Sequence, residues 1–254
     1  MKTVLITGCS SGFGLETARY FLEHGWSVIA TMRQPKADIL PASDRLKVLP
    51  LDVTDAESIA ACIAAAGPID VLVNNAGVGL MNALEGVPLD AARATFETNT
   101  FGTMAMAQAV LPGFRERGNG VIINVTSAVT VKALHLLSVY TASKAAVDAF
   151  SGCLALELEP LGIRVRIVLP GRAPETAFGQ NARARLTAGI PEAYAGIAEK
   201  VFAEWAKQPA DQVTHSIDVA EAVWRAATDP ACPMRIPAGT DAVAAMEAAE
   251  RVMA

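Results

Sequence analysis

Tyr140-Thr141-Ala142-Ser143-Lys144 sets a phenol and an ammonium four residues apart. On a helix, positions i and i+4 share one face, so the hydroxyl and the amine project together. A free tyrosine, with a pKa of about 10, is a poor base at neutral pH. A neighbouring ammonium favours the phenolate and is expected to draw that pKa down. Such a pair can exchange a proton with a carbonyl or alcohol oxygen. Ser127, thirteen residues before Tyr140, can hydrogen-bond the same oxygen and stabilise charge developing on it. A lone Tyr-x-x-x-Lys carries little weight, because most such pairs are surface neighbours. Other parts of the chain have to supply its partner chemistry.

The chain start supplies it. Thr7-Gly8-Cys9-Ser10-Ser11-Gly12-Phe13-Gly14 stands between a short apolar run and a helical pattern. Glycines at Gly8, Gly12 and Gly14 let the backbone turn sharply and come close to a pyrophosphate. The following helix start, with Ser10, Ser11 and Phe13 beside it, offers free N–H groups and a partial positive charge. By itself the glycine string is a weak signal; strand before and helix after are what raise it. About twenty residues on, an NAD-binding unit places a carboxylate for the ribose 2′-hydroxyl. Here that place holds Met32, followed by Arg33. An arginine can grip a 2′-phosphate with charge-assisted bonds, so NADP(H) is the expected cofactor. Asp52 and Val53 end the third apolar run, where a carboxylate can meet the adenine amine. Asn74-Asn75-Ala76-Gly77 ends the fourth, with small residues that let a cofactor pass. Taken singly, each of these is ordinary turn chemistry.

In order along the chain, T-G-x-x-x-G-x-G, N-N-A-G, Ser127 and Y-x-x-x-K resemble the short-chain dehydrogenase/reductase family, from Met1 to about Thr176. The resemblance implies an oxidoreductase that moves hydride between NADPH and a ketone or aldehyde, with Tyr140 donating the proton in reduction. It implies Asn99 as a fourth catalytic residue, holding a water that links Lys144 to solvent, and Lys144 as a ligand of the nicotinamide ribose. Thr7-Gly8-Cys9-Ser10-Ser11-Gly12 with Ala30-Thr31-Met32-Arg33 looks most like the 17-beta-hydroxysteroid dehydrogenase-like branch. After the sixth apolar run the family usually reads P-G-x-V-x-T. This chain has Pro170-Gly171-Arg172-Ala173-Pro174-Glu175-Thr176, one residue longer, and Pro174 lacks a backbone donor. Pro170, Gly171 and Thr176 are kept as cofactor contacts, while the residue that holds the carboxamide stays open. Val129, Leu134 and Leu137 fall at the family's substrate wall and are apolar, which fits a substrate with a hydrophobic flank. His135 beside them reads as a rim residue rather than a catalytic one. A rival reading is an NADP-binding sensor that has lost its chemistry, against which the full set Asn99, Ser127, Tyr140 and Lys144 speaks. Epimerases of the related extended group need a larger substrate domain than 254 residues allow.

These side chains need a frame. Short apolar runs alternate with longer helical patterns, which predicts one single-domain Rossmann-type α/β fold over 1–254: a doubly wound parallel sheet of about seven strands with helices on both faces. Strands are predicted at Thr3–Thr7, Ser27–Met32, Leu46–Leu51, Ile69–Asn74, Gly120–Val125 and Ile163–Leu169, with a short last one near Met234–Ile236. Helices are predicted at Phe13–His24, Asp55–Ala66, Leu89–Arg117, Tyr140–Leu158 and Ile217–Thr228. The polar, proline-bearing segment Pro174–Ser216 reads as a substrate lid. Ala145–Leu158 carries charge only at Asp148 and Glu157. That predicts a second buried face and a homodimer or homotetramer.

Composition narrows the rest. A net charge of -5 makes nucleic acid an improbable partner. No apolar run reaches membrane-spanning length, and the start lacks signal-peptide features, so a cytoplasmic location is expected. Four separate cysteines without nearby histidines argue against a metal site or a disulfide framework.

Overall fold

The computed structural model describes residues 1–253 except 37, 177, 180, 181, 183–188, 208 and 210. Seven parallel strands form one sheet: β1 (Thr3–Ile6), β2 (Ser27–Met32), β3 (Leu46–Pro50), β4 (Val71–Asn74), β5 (Gly120–Val125), β6 (Ile163–Pro170) and β7 (Arg235–Ala238). Their order is β3-β2-β1-β4-β5-β6-β7. Among the described residues, α-helices with defined bounds are α1 (Gly12–Glu23), α2 (Ala56–Ala66), α3 (Leu89–Phe96), α4 (Gly102–Arg117), α5 (Ser138–Leu158), α6 (Ala195–Lys207), α7 (Ser216–Thr228) and α8 (Thr240–Met253).

Why the strands read as unbroken apolar runs is visible in the two cores. Side chains alternate between the faces of a strand. Val4 and Ile6 of β1, Val71 and Val73 of β4, and Val121, Ile123 and Val125 of β5 enter one core with α1 and α7. Leu5, Leu72 and Ile122, the residues between them, enter the other with α2, α4 and α5. A sheet covered on both faces leaves no polar side to write into the sequence.

The strand order reverses between β1 and β4, so connections leave the sheet in opposite directions there and open a crevice at the strands' carboxyl ends. The glycine-rich loop after β1 and the Asn75–Gly77 loop after β4 border it. One predicted helix departs from expectation. The helical stretch Leu89–Arg117 is not continuous: a π-helical turn, Glu97–Phe101, separates α3 from α4 and carries Asn99. Within the expected lid, α6 is a regular helix, while much of 177–188 and residues 208 and 210 lie outside the described residues. Among the described residues, no helix is long and apolar enough to cross a membrane.

Candidate active site

At the head of the crevice, Gly8 has φ +76 and Gly12 φ +58, both left-handed, where a side chain is strained. A methyl group at Gly14 would sit 2.5 Å from the Gly8 carbonyl oxygen and press on Asn75 Nδ2. The loop is pinned from β4. Thr7 Oγ1 accepts from the backbone N–H of Asn75 (3.0 Å) and Ala76 (2.9 Å), and Asn75 Nδ2 donates to Thr7 O (2.9 Å). Ser11 caps α1 by backbone alone, with no side-chain capping bond. The first-turn N–H groups are thereby left for a ligand. These are the features a pyrophosphate needs, so the residues present fit a dinucleotide. Cys9, inside the loop, is fully buried with its thiol pushed up to about 12 by burial, which makes it a small core residue.

At the end of β2, Met32 is buried and Arg33 projects as an exposed side chain. Asp52 accepts from Thr54 N (3.0 Å) and Thr54 Oγ1 (2.7 Å) through one oxygen. These bonds, with Arg33 adding to them, hold its carboxyl below the usual range. Val53 is buried and packs so closely on Gly102 that any side chain there would meet it. Asn74 points the other way, donating to Asn124 Oδ1 (2.9 Å) across β4 and β5, while Asn124 Nδ2 donates to Ser151 Oγ (2.8 Å).

The chemical groups meet where β5 ends and α5 begins. Ser127 caps the turn Ala128–Thr130, its Oγ accepting from Val129 N at 3.3 Å. Tyr140 lies in the first turn of α5, is 7% exposed, and hydrogen-bonds Ser127. Without the cofactor its pKa lies opposite to the sequence expectation, which counted the positive nicotinamide as well as the ammonium: burial pushes it up to about 12, and the Ser127 bond only partly opposes this. The low dielectric around the hydroxyl outweighs the nearby charge that was expected to lower it. Lys144, one turn along, donates from Nζ to Val125 O (2.9 Å). Burial pulls its pKa down to about 8, and Asp148 works against that shift.

Asn99 is fully buried, and the π turn aims its amide back across the crevice. Oδ1 accepts from Val78 N (2.8 Å), while Nδ2 donates to Val78 O (2.9 Å) and to Ser143 Oγ (3.0 Å). This ties the β4 loop to α5. A methyl group at Gly77 would come within 3.3 Å of Lys144 Nζ and 3.4 Å of Asn99 Oδ1, so Gly77 keeps the space between them open. Asn99 is therefore a structural tie, as a helix-interior hydrogen-bonder would be, and its Oδ1 and the Lys144 amine face the same space beside Gly77.

Past β6, the loop from Pro170 is held by Thr214, just ahead of α7, and by Asp241 of α8. Gly171 N donates to Thr214 Oγ1 (2.8 Å), Arg172 N to Asp241 Oδ2 (2.6 Å), and Thr214 Oγ1 to Asp241 Oδ1 (2.8 Å). Thr176 donates from Oγ1 to Ala173 O (2.9 Å) and flanks Gly12 across the crevice mouth. Val129, Leu134 and Leu137 are half-buried, while His135 is exposed on a shallow groove with Asn82, Leu84 and Tyr194.

Several residues at the site escape a motif search. Leu136, buried with φ +64, accepts from Asn82 N (2.8 Å) through its carbonyl. Phe178 lies against Tyr140 with ring centroids 5.7 Å apart. Thr214 and Asp241 grip the Pro170 loop from more than forty residues away and belong to no local pattern. Asp148 did carry a signal, since it repeats the four-residue spacing of Tyr140 and Lys144.

The chain belongs to the short chain dehydrogenase family, whose profile matches residues 2–187. It is 42% identical to human retinol dehydrogenase 8 over 182 residues, which is 67% of this chain and 58% of that protein. It thus spans less than two thirds of that relative's length. Among solved structures it resembles a short-chain dehydrogenase from Streptomyces avermitilis, with TM-score 0.83, 34% identity, and coverage of 99% of this chain and 93% of that one. It also resembles a short chain dehydrogenase from Burkholderia cenocepacia J2315 in complex with NADP, with TM-score 0.76, 28% identity, and coverage of 100% and 95%.

Proposed function

We propose that this chain is an NADP-dependent oxidoreductase that reduces a ketone or aldehyde with a hydrophobic flank, and that Tyr140 is its acid. The observation that carries the reading is the convergence of Ser127, Tyr140 and Lys144 at the carboxyl end of β5, beside a glycine cradle and an open helix start. NADPH, when bound, supplies the hydride. Gly8, Ser10, Ser11, Gly12, Phe13 and Gly14 would hold its pyrophosphate, and Asp52, Val53, Asn75, Ala76 and Gly77 would line its course. Pro170, Gly171 and Thr176 would close the nicotinamide end, with Arg33 at the 2′-phosphate.

With a pKa near 12, Tyr140 keeps its proton at neutral pH and is ready to donate it from Oη to the carbonyl oxygen. Ser127 Oγ hydrogen-bonds that oxygen and favours the negative charge it acquires. Lys144, anchored on Val125 O, presents a cation beneath the phenol and steadies the phenolate left after transfer. Buried placement of all three keeps water from competing for the proton. Incubation with NADPH and a panel of ketones, followed by NADPH absorbance, tests the reading. Consumption that depends on the ketone supports it, and none with any carbonyl refutes it.

The outer face of α5 supports a homo-oligomer. Ala142, Ala145, Ala149, Gly152 and Cys153 are exposed and small, and Leu156 is 73% exposed. Asp148, one of only two charges in the stretch, turns inward, which leaves Glu157 alone outside. A flat apolar strip of this kind suits close approach of a second copy. Light scattering that finds a monomer at micromolar concentration refutes this part.

A further inference from the structure

One buried carboxylate takes no part in the chemistry above. Asp148 follows Lys144 by four residues on α5, as Lys144 follows Tyr140, so phenol, ammonium and carboxylate form one line along the helix. It is 7% exposed, and Lys144 is 5% exposed. From β7, Arg235 brings Nε to 3.8 Å from Asp148 Oδ2, with half of the arginine side chain still in solvent. The hydroxyls of Thr126, just past β5, and Thr130, in the following turn, also face the carboxylate. Even so, Asp148 Oδ1 and Thr126 Oγ1 are both buried with no hydrogen-bond partner among the described residues. A carboxylate this poorly solvated is costly unless cations compensate it. Two are at hand, one buried and one at the surface.

We infer that Asp148 is a positioning residue: it is the counter-ion, one helix turn along α5, that keeps the buried Lys144 ammonium charged, and Arg235 clamps it from the sheet edge. The other groups placed near Lys144 Nζ are neutral: the Val125 carbonyl from β5 accepts its hydrogen bond, and Gly77 faces it with Asn99 Oδ1 on the other side of that glycine's open space. Tyr140, protonated, brings no charge, which leaves Asp148 as the anion of the set. Burial drives Lys144 towards the free amine, and the carboxylate opposes that loss. Asp148 itself is held towards its protonated form by burial, against which the two threonines, Arg235 and Lys144 all act. Each buried charge thus sustains the other.

This inference rests on the reading of Lys144 as a cofactor and acid/base partner. Its test uses two readouts, NADPH affinity against pH and the ε-carbon NMR titration of Lys144 in the cofactor-free protein. In the wild type both should show a transition near pH 8. In Asp148→Asn it should fall by about one pH unit, and Asp148→Glu should restore it. Arg235→Ala removes, from a half-exposed position, a cation that helps keep the carboxylate ionised and should move the transition the same way by less, which keeps the test intact if Asp148→Asn folds poorly. A transition that stays put in both Asp148→Asn and Arg235→Ala, whatever the melting temperatures do, overturns the proposal. Because neither readout requires turnover, a failure of the oxidoreductase reading would show separately, as no carbonyl-dependent NADPH consumption by the wild type.

Discussion

Phe178 leans over Tyr140, its ring centroid 5.7 Å from that of the tyrosine and tilted by 59°. The same ring, with Ala182, packs on Gly79, where an added methyl would lie 3.0 Å from Phe178 and 2.7 Å from Ala182. Gly79 is bare so that the segment after β6 can settle on the loop after β4. With Phe178 in place, the phenol is nearly sealed from water while the covering ring stays 39% exposed.

Phe178→Ala should uncover Tyr140 and enlarge the space over its hydroxyl. The ratio of kcat/KM for a bulky aryl ketone to that for a small aliphatic one should rise several-fold, and the tyrosine pKa should fall below about 12 as water returns. An unchanged ratio would mean that the substrate does not pass this ring.

Tyr140→Phe removes one hydroxyl and keeps the ring's packing. Turnover should disappear while NADPH affinity stays within a few-fold of wild type. Activity above a few per cent would end the acid/base assignment.

Burial of the same two groups makes stability depend on pH in opposite directions. Lys144 has its pKa lowered from 10.5 to about 8, so between those values the unfolded chain binds more protons than the folded one, and stability rises with pH. Tyr140 has its pKa raised from 10.0 to about 12, so over that interval the folded chain binds more protons, and stability falls. Urea midpoints measured from pH 7 to 11.5 should pass through a maximum near pH 10. Lys144→Met should lose the rising limb, and Tyr140→Phe should lose the part of the falling limb that Tyr140 causes.

Gly14→Ala places a methyl against Asn75 Nδ2 and the Gly8 carbonyl. Overpacking of this kind costs about 1–3 kcal/mol, and here it also displaces the backbone that faces the pyrophosphate. Calorimetry should show a lower melting temperature and a loss of NADPH binding larger than the stability change explains. Wild-type affinity would remove the glycine cradle from the cofactor site.

If the cofactor is NADPH as proposed, Arg33 is the residue expected to select it, because the glycine loop has no Lys or Arg. A charge-assisted contact of about 1.5–3 kcal/mol corresponds to roughly ten- to a hundredfold selectivity for NADPH. Met32→Asp combined with Arg33→Ala should reverse the kcat/KM ratio for NADPH over NADH with one ketone. Lys36 nearby can blunt the change. If the wild type prefers NADH, or the double variant leaves the ratio unmoved, Arg33 is a solvated charge.

The sequence alone determined whatever repeats locally. Apolar runs and helical periods placed all seven strands to within about two residues. Tyr140 and Lys144 share a face because the helix period requires it, and Gly8 and Gly14 are glycines because the turn after β1 tolerates nothing larger. Tertiary structure decided what depends on contacts between distant segments. The π turn at Glu97–Phe101 exists because Asn99 must reach Val78 and Ser143, a demand no helical pattern displays. The direction of the Tyr140 shift reversed because burial, set by Phe178 and the surrounding core, is a property of the packed fold, whereas the i+4 ammonium is a property of the chain. Thr214 and Asp241 hold the Gly171–Arg172 loop only because β6 and β7 lie side by side and bring the carboxyl-terminal segment back to it. Asp148 falls on the face of Tyr140 and Lys144 by spacing alone, but its burial and its pairing with Arg235 of β7 come from the packed fold.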